Sequence, residues 1–322
     1  MQVERLVKHF DAGRGLFGRG REVVRAVDEV SFEIRRGETL ALVGESGSGK
    51  TTVGRAILRL IEPSSGTVRF EGKDLGALSR EELRRTRPRM QIIFQDPYAS
   101  LNPRIAVGDA IAEGPLVHGL SRGAELERLV VQLLDRVGLP ASARRRFPHE
   151  FSGGQRQRIC IARALSLKPS FIVCDEAVSA LDLSIQAQVL NLLRDLQAEL
   201  GLTYLFITHN LNVVRYLADR VLVMYLGRIV ESANAAELFA APGHPYTRAL
   251  LSANPLPNPH APFEPVLLEG EVPSALAPPP GCRFHTRCPE VFEPCSTVVP
   301  SDRLVQRAPP RRVECHLASD AA

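Results

Sequence analysis

Lysine is scarce in this chain of 322 residues. Of forty basic side chains only four are lysine, at Lys8, Lys50, Lys73 and Lys168. The arginine excess reads as genomic bias rather than function. No strong bias of one charge sign is present either. The net charge is +4 and the basic residues are scattered among 36 acids, which argues against a nucleic-acid partner. No apolar run is long enough to span a bilayer. The opening Met1-Gln2-Val3-Glu4-Arg5 lacks the apolar stretch of a signal peptide. The expectation is a chain that folds in the cytoplasm and reaches any membrane through a partner. In a reducing compartment six cysteines make no disulfide framework, and four of them crowd the C-terminal end. No internal repeat is visible. What remains is a composition of 44% apolar and 24% charged residues, ordinary for a globular protein with a sizeable core. The length suits one large domain plus an extension.

Strand and helix signals alternate along much of the chain. Val23 to Glu33 carries period-two stretches, and Thr39-Leu40-Ala41-Leu42-Val43 is a short apolar strand running into a glycine-rich turn. A helix is expected from Lys50 to Ile61, stopped by Pro63. Gly66 to Glu71 and Met90 to Phe94 read as strands. From about Arg104 to Arg146 the β-rich runs disappear and helical spacing takes over, notably from Glu125 to Val137. Helix at Ser152 to Leu167, strand at Phe171 to Cys174, helix at Ser184 to Leu200 and strand at Thr203 to Ile207 then follow, the alternation of a parallel sheet covered by helices. After Ala240 proline-rich stretches such as Pro278-Pro279-Pro280 predict an extension with little regular structure.

Gly44-Glu45-Ser46-Gly47-Ser48-Gly49-Lys50-Thr51 fits the Walker A pattern, with a strand before it and a helix after it. Gly44, Ser46, Gly47 and Gly49 let backbone N–H groups converge on phosphate oxygens, and the helix N-terminus adds positive potential. Lys50 reaches for the β- and γ-phosphates, the Thr51 hydroxyl for Mg²⁺ and Thr52 for the α-phosphate. At Phe171-Ile172-Val173-Cys174-Asp175-Glu176 an apolar strand delivers two acids at its carboxyl end. Asp175 suits Mg²⁺, and Glu176 suits polarising an attacking water. A strand ending in two acids is common, so this pair gains its weight from its neighbours. The segment Phe151-Ser152-Gly153-Gly154-Gln155-Arg156-Gln157-Arg158 combines a helix N-cap with two glycines that expose N–H groups, so its helix can present its dipole to a phosphate.

This last segment resembles the signature motif of ABC ATPases, with Phe151 where Leu is commoner. The resemblance implies an α/β P-loop NTPase with a RecA-like core and an N-terminal antiparallel β region. A helical subdomain at about 104–155 and an irregular C-terminal extension complete it. The expected division is an ATPase domain over 1–240 and an extension over 241–322. It also implies that Ser152, Gly153, Gly154 and Gln155 contact the γ-phosphate held by a second ATPase subunit. Gln95 resembles the Q-loop glutamine, a Mg²⁺ sensor facing membrane subunits. Ser179-Ala180-Leu181-Asp182 resembles the D-loop, and His209 the switch histidine. Phe10, or less favourably Phe17, stands where an aromatic stacks on adenine, although loop-like residues separate either from the first clear strand. Ala177 departs from the usual Pro after the two acids, which removes local rigidity without removing chemistry.

Further segments are similar to the peptide-permease branch of that family, among them Asp96-Pro97-Tyr98-Ala99-Ser100-Leu101-Asn102-Pro103 and His244-Pro245-Tyr246-Thr247-Arg248-Ala249-Leu250-Leu251. The likeness runs from about Val3 to Leu317 and leans toward the second of the two ATPase subunits such permeases carry. It implies ATP-driven import of oligopeptides or dipeptides, a related ATPase subunit, two membrane permeases and an extracytoplasmic peptide-binding protein. The place it implies is the cytoplasmic face of the inner membrane, held peripherally. Nickel, glutathione or another small solute is the alternative cargo, and a soluble ABC ATPase of DNA repair or translation the alternative class. Cys282, Cys288, Cys295 and Cys315 are four thiols that can bind zinc or an iron–sulfur cluster or remain free. The resemblance favours a 4Fe–4S cluster. Cys160 and Cys174 sit in apolar patterns and read as buried core thiols.

Overall fold

The computed structural model describes residues 1–14, 21–254, 265–307 and 309–320. Along the chain run β1 (Gln2–Arg14), β2 (Arg21–Glu33), β3 (Thr39–Val43), α1 (Lys50–Ile57), β4 (Ser65–Phe70) and β5 (Lys73–Asp74). Then come α2 (Arg80–Thr86), β6 (Met90–Ile93), α3 (Pro97–Ser100), α4 (Val107–Val117), α5 (Gly123–Arg136), α6 (Gly153–Leu165), β7 (Phe171–Asp175), α7 (Leu183–Leu200) and β8 (Thr203–Ile207). The last elements are α8 (Leu211–Leu217), β9 (Arg220–Tyr225), β10 (Arg228–Asn234), α9 (Ala235–Ala240), α10 (Pro245–Ser252), β11 (Asp302–Arg307) and β12 (Pro310–Glu314). The chain packs as two compact units. Met1–Glu33, Leu40–Gly76 and Thr208–Ala322 form the first; Ile34–Thr39 and Ala77–Ile207 form the second. No helix among the described residues is long and apolar enough to cross a membrane.

The first unit holds an antiparallel sheet in the order β2-β1-β4-β5 and a second group of strands in the order β11-β12-β10-β9-β3. β3 lies parallel to β9, with Leu42 opposite Leu222. Its five residues are all buried, as an unbroken apolar strand requires. Gln2–Arg14, loop-like in sequence, is strand: Phe10 pairs with Val24 across β1 and β2. Register shifts at several points break the alternation of β1, which is why its pattern does not read as strand. Helix α1 is shorter than expected. Leu58 closes it and Arg59, held at φ 52°, turns the chain away well before Pro63.

The extension after Ala240 is also more regular than its prolines suggest. It contributes α10 and the β11–β12 hairpin, and β12 pairs with β10 through Glu231 opposite Val313. The aromatic centre of this unit is shared between body and extension. The Phe284 ring meets Tyr225 at 5.3 Å and Tyr246 at 5.4 Å between centroids, and Tyr225 meets Tyr246 at 4.7 Å. All three rings are buried.

In the second unit β8, β7 and β6 lie side by side and parallel, with Phe171 opposite both Met90 and Thr203. The region expected to be helical carries α4 and α5. α5 buries Val130, Leu133 and Leu134, a one-sided stripe at helical spacing. Gly108 in α4 permits a close crossing, because a Cβ there would stand 2.8 Å from the Arg144 carbonyl oxygen.

One carboxylate fixes the extension to the sheet. The Glu231 side chain is fully buried and accepts from the N–H groups of Gly243 (2.9 Å) and His244 (2.8 Å) and from Arg311 Nη2 (2.8 Å). Removing one member of a buried, hydrogen-bonded pair strands the other's charge. Glu231→Ala is therefore expected to lower stability by about 3–5 kcal/mol, measured by urea unfolding. A loss below about 0.5 kcal/mol, the scale of an ordinary surface change, would refute the anchor.

Candidate active site

The phosphate loop of the first unit is shaped by contacts that leave no room for side chains. A Cβ on Gly44 would stand 2.1 Å from the Met224 carbonyl oxygen, and one on Gly49 would stand 2.1 Å from that of Ala26. Both have positive φ, 154° and 104°. Gly47, at φ 78°, faces open space instead. The loop is also tied by its backbone, since the Gly227 N–H donates to the Ser48 carbonyl at 2.9 Å. Lys50 is buried, and its Nζ donates to the carbonyls of Gly44 and Glu45, both at 2.8 Å. A cation held on loop carbonyls is positioned for an anion that outbids them. Thr51 and Thr52 follow in the first turn of α1, half-buried.

Sequence reasoning passed over how Glu45 is held. Its N–H donates to Tyr246 Oη at 2.9 Å, and its carboxylate accepts from Arg287 at 2.8 Å and 3.3 Å. The available signals were the tyrosine of the His244-Pro245-Tyr246 segment and an arginine beside Cys288. Neither, by itself, names Glu45 as its partner.

Phe10 lies on β1, partly exposed, with Lys8 Nζ 4.8 Å from its ring centroid. Phe17 lies outside the described residues. His209 is exposed, immediately after Thr208, whose hydroxyl accepts from the Asn210 N–H ahead of α8.

In the second unit Asp175 ends β7 buried, and Glu176 follows at φ 49°. A non-glycine residue held left-handed costs on the order of 1 kcal/mol and has to be kept there by its surroundings. Here the Glu176 N–H donates to the Ile207 carbonyl, and the Glu176 carbonyl accepts from the Ser179 N–H and hydroxyl. The side chain is brought to Gln95, whose Nε2 donates to Glu176 Oε2 at 2.7 Å. Two candidates separated by 81 positions are thus joined directly. Ser152 caps α6 and forms a reciprocal capping box with Gln155. Gly153 and Gly154 open the helix. A Cβ on Gly154 would meet Ile185 Cγ2 at 2.2 Å, so glycine here sets how closely α6 approaches the start of α7. Asp182 caps α7. Its hydrogen bonds from the Ile185 N–H and then the Ser184 hydroxyl hold its carboxyl below the usual carboxylate range.

The four tail cysteines gather in the first unit. Cys295 and Cys315 are buried, and Cys282 and Cys288 half-buried. The Cys282 N–H donates to the Cys295 carbonyl at 2.8 Å. Burial pushes the Cys282 thiol up to about 11, and charge on Cys315, Cys295 or Cys288 pushes the same way. Among the described residues no group of three or more His, Cys, Asp or Glu side chains is arranged to hold a metal ion. An all-thiol donor set nonetheless fits soft-metal chemistry. Cys160 and Cys174 are buried, and burial raises both thiols, Cys160 to about 11.

A family profile described as ABC transporter matches residues 27–179, and one described as oligopeptide/dipeptide transporter, C-terminal region, matches residues 230–295. A Brucella ovis protein named a putative peptide import ATP-binding protein is 54% identical over 306 residues, covering 95% of this chain and 94% of that one. The Bacillus subtilis oligopeptide transport ATP-binding protein AppF is 49% identical, covering 99% of this chain and 97% of that one. Among solved structures, a dimeric ATP-binding cassette in a post-hydrolysis state, bound to ADP and Pi, superposes with a TM-score of 0.65 at 27% identity. It covers 73% of this chain and 98% of that one.

The Gly154 contact makes a paired prediction. Gly154→Ala is expected to cost about 1–3 kcal/mol through overpacking against Ile185, and Ile185→Ala in the same chain to recover part of that loss. Thermal unfolding of the two single variants and the double reads the coupling. Strict additivity would show that the two residues do not meet.

Proposed function

The chain belongs to the ATP-binding subunits of ABC transporters, and from that membership we propose that it hydrolyses ATP to drive import of oligopeptides or dipeptides. The observation that carries the ATPase reading is the phosphate loop: a buried lysine on loop carbonyls, with Gly47 open beside it. The peptide cargo is supported by the C-terminal region profile and by the relatives' names. As an ABC transporter ATPase it works with membrane permease subunits. The finer arrangement we propose is a heterodimer with a related ATPase, docked on two permeases at the cytoplasmic face of the inner membrane and served by an extracytoplasmic peptide-binding protein.

The roles follow residue by residue. Lys50 binds the β- and γ-phosphates, the loop N–H groups at Gly44, Ser46, Gly47 and Gly49 the phosphate oxygens, and Thr52 the α-phosphate. Phe10 offers its ring to adenine. Thr51, Gln95 and Asp175 each carry an oxygen that would serve Mg²⁺, and the ion would supply charge neutralisation on the phosphates. Glu176 orients and deprotonates the attacking water, and His209 contacts the γ-phosphate. The hydrogen bond from Gln95 holds the Glu176 carboxylate in place beforehand. Ser152, Gly153, Gly154, Gln155 and Asp182 serve the nucleotide held by the other ATPase, which makes hydrolysis a property of the pair.

For the tail we propose a 4Fe–4S cluster, on the family resemblance and on the all-thiol donor set. Cys282, Cys288, Cys295 and Cys315 would be the ligands, and the cluster would tie together four points of a proline-rich segment.

Glu176→Gln in the assembled transporter is expected to keep ATP binding and to slow hydrolysis by about 10²–10⁴-fold, the usual weight of a general base. Hydrolysis at the unaltered rate would overturn the assignment. Di- and oligopeptides presented with the binding protein should stimulate hydrolysis; stimulation by nickel or glutathione alone would replace the cargo. For the tail, anaerobic purification should yield iron and acid-labile sulfide in equal amounts. One zinc and no iron would convert the site to zinc.

A further inference from the structure

Glu45 is gripped from outside the phosphate loop by two residues far along the chain. Its backbone N–H donates to Tyr246 Oη at 2.9 Å. Its carboxylate receives a two-pronged contact, Arg287 Nη1 to Oε2 at 2.8 Å and Nη2 to Oε1 at 3.3 Å. That geometry needs a guanidinium fork and is not reproduced by lysine. The Arg287 side chain is only 9% exposed, and Nη1 also lies 3.5 Å from Tyr225 Oη. Its place is fixed by a short turn, His285–Arg287, that stands between Cys282 and Cys288. Phe284, one residue ahead of the turn, is locked among Tyr225 and Tyr246.

The carboxylate is awkward where it stands. The Glu45 carbonyl already accepts from Lys50 Nζ, so this residue sits at the part of the loop where the phosphate-binding cation is stored. An unpaired carboxylate on the loop would repel a triphosphate. Paired with Arg287 its charge is balanced, while Tyr246 holds the backbone N–H of the same residue. A charge pair that is largely out of water is screened little by salt.

We propose that Arg287 is a positioning residue for ATP. It neutralises Glu45 and fixes the first turn of the phosphate loop, so that this subunit's affinity for ATP depends on the cysteine-bearing segment. The inference rests on the reading of Gly44–Thr51 as the phosphate loop. Its effect lies in binding: the KM for ATP carries it, and kcat does not.

The test uses the assembled transporter, with ATP hydrolysis followed against ATP concentration. Arg287→Ala is expected to raise the KM for ATP about tenfold, the scale of truncating one partner of a partly buried charge pair, with kcat held within about twofold. Glu45→Gln added to Arg287→Ala is expected to restore the KM, because without the carboxylate the cation has nothing to neutralise. Glu45→Gln alone keeps the backbone bond to Tyr246 and an amide oxygen for Arg287, and is expected to lower the KM, because the loop then carries one negative charge fewer. An unchanged KM in Arg287→Ala overturns the proposal, as does a raised KM in Glu45→Gln alone. A role for Arg287 in merely holding the tail predicts a lower melting temperature, kcat falling, and no rescue by Glu45→Gln; that pattern also overturns it. Lys50→Ala separates the two levels. Hydrolysis that survives Lys50→Ala refutes the phosphate-loop reading itself, whereas its loss there leaves the Arg287 result to stand or fall alone.

Discussion

Two backbone carbonyls press on the phosphate loop so closely that side chains are excluded at Gly44 and Gly49. One carbonyl belongs to Met224 in β9 and the other to Ala26 in β2, so the loop is shaped by two strands of different sheets. The same strands are linked through the β9–β10 turn. The Asp28 N–H donates to the Gly227 carbonyl, and the Gly227 N–H to the Ser48 carbonyl. The loop therefore has little freedom left before any phosphate arrives. Preorganisation of this kind is what a binding site for a highly charged ligand needs, because donors already aimed require no reorganisation on binding. The buried parallel strand β3, running directly into Gly44, delivers the loop to this position.

The second unit shows the same economy of means around Glu176. A strand end alone leaves a carboxylate free to choose rotamers and backbone angles. Here the left-handed turn at Glu176, the three backbone contacts behind it and the amide of Gln95 restrict both. Ala177, next in the chain, is itself buried.

Local chemistry was legible in the sequence wherever a motif is contiguous. The phosphate loop, the capping residue Ser152 with its two glycines, and the acids closing β7 each carry their reason within a few positions. Three things were not legible, for different reasons. β1 is polar and bulged, so its alternation is broken although its pairing with β2 is extensive. The β11–β12 hairpin has few apolar residues of its own and is ordered by joining the edge of β10 through Glu231 and Val313. Glu45 and Arg287 are 242 positions apart, and no local pattern makes an arginine near a cysteine point to a glutamate in a phosphate loop. Fold class survives such omissions because it rests on the alternation of strands and helices, whereas the wiring of the site rests on long-range pairs.

The extension illustrates what holds a proline-rich, apolar-poor segment in place. Ordering it costs backbone entropy with little hydrophobic burial in return. Phe284 and Tyr246 supply buried rings, and β12 pairs with β10. Beside them stands a recurring pair of types, an arginine on the extension and a carboxylate on the body: Arg283 with Asp28, Arg287 with Glu45, Arg311 with Glu231. Lysine would serve poorly at these points, because the two-pronged contacts of Arg287 and Arg311 need a planar fork. Buried pairs of this kind add little net stability over apolar packing, but each leaves a stranded charge if displaced. Their consequence is therefore positional. The extension is permitted one seat on the body, and that seat places the cysteine-bearing turn against the phosphate loop.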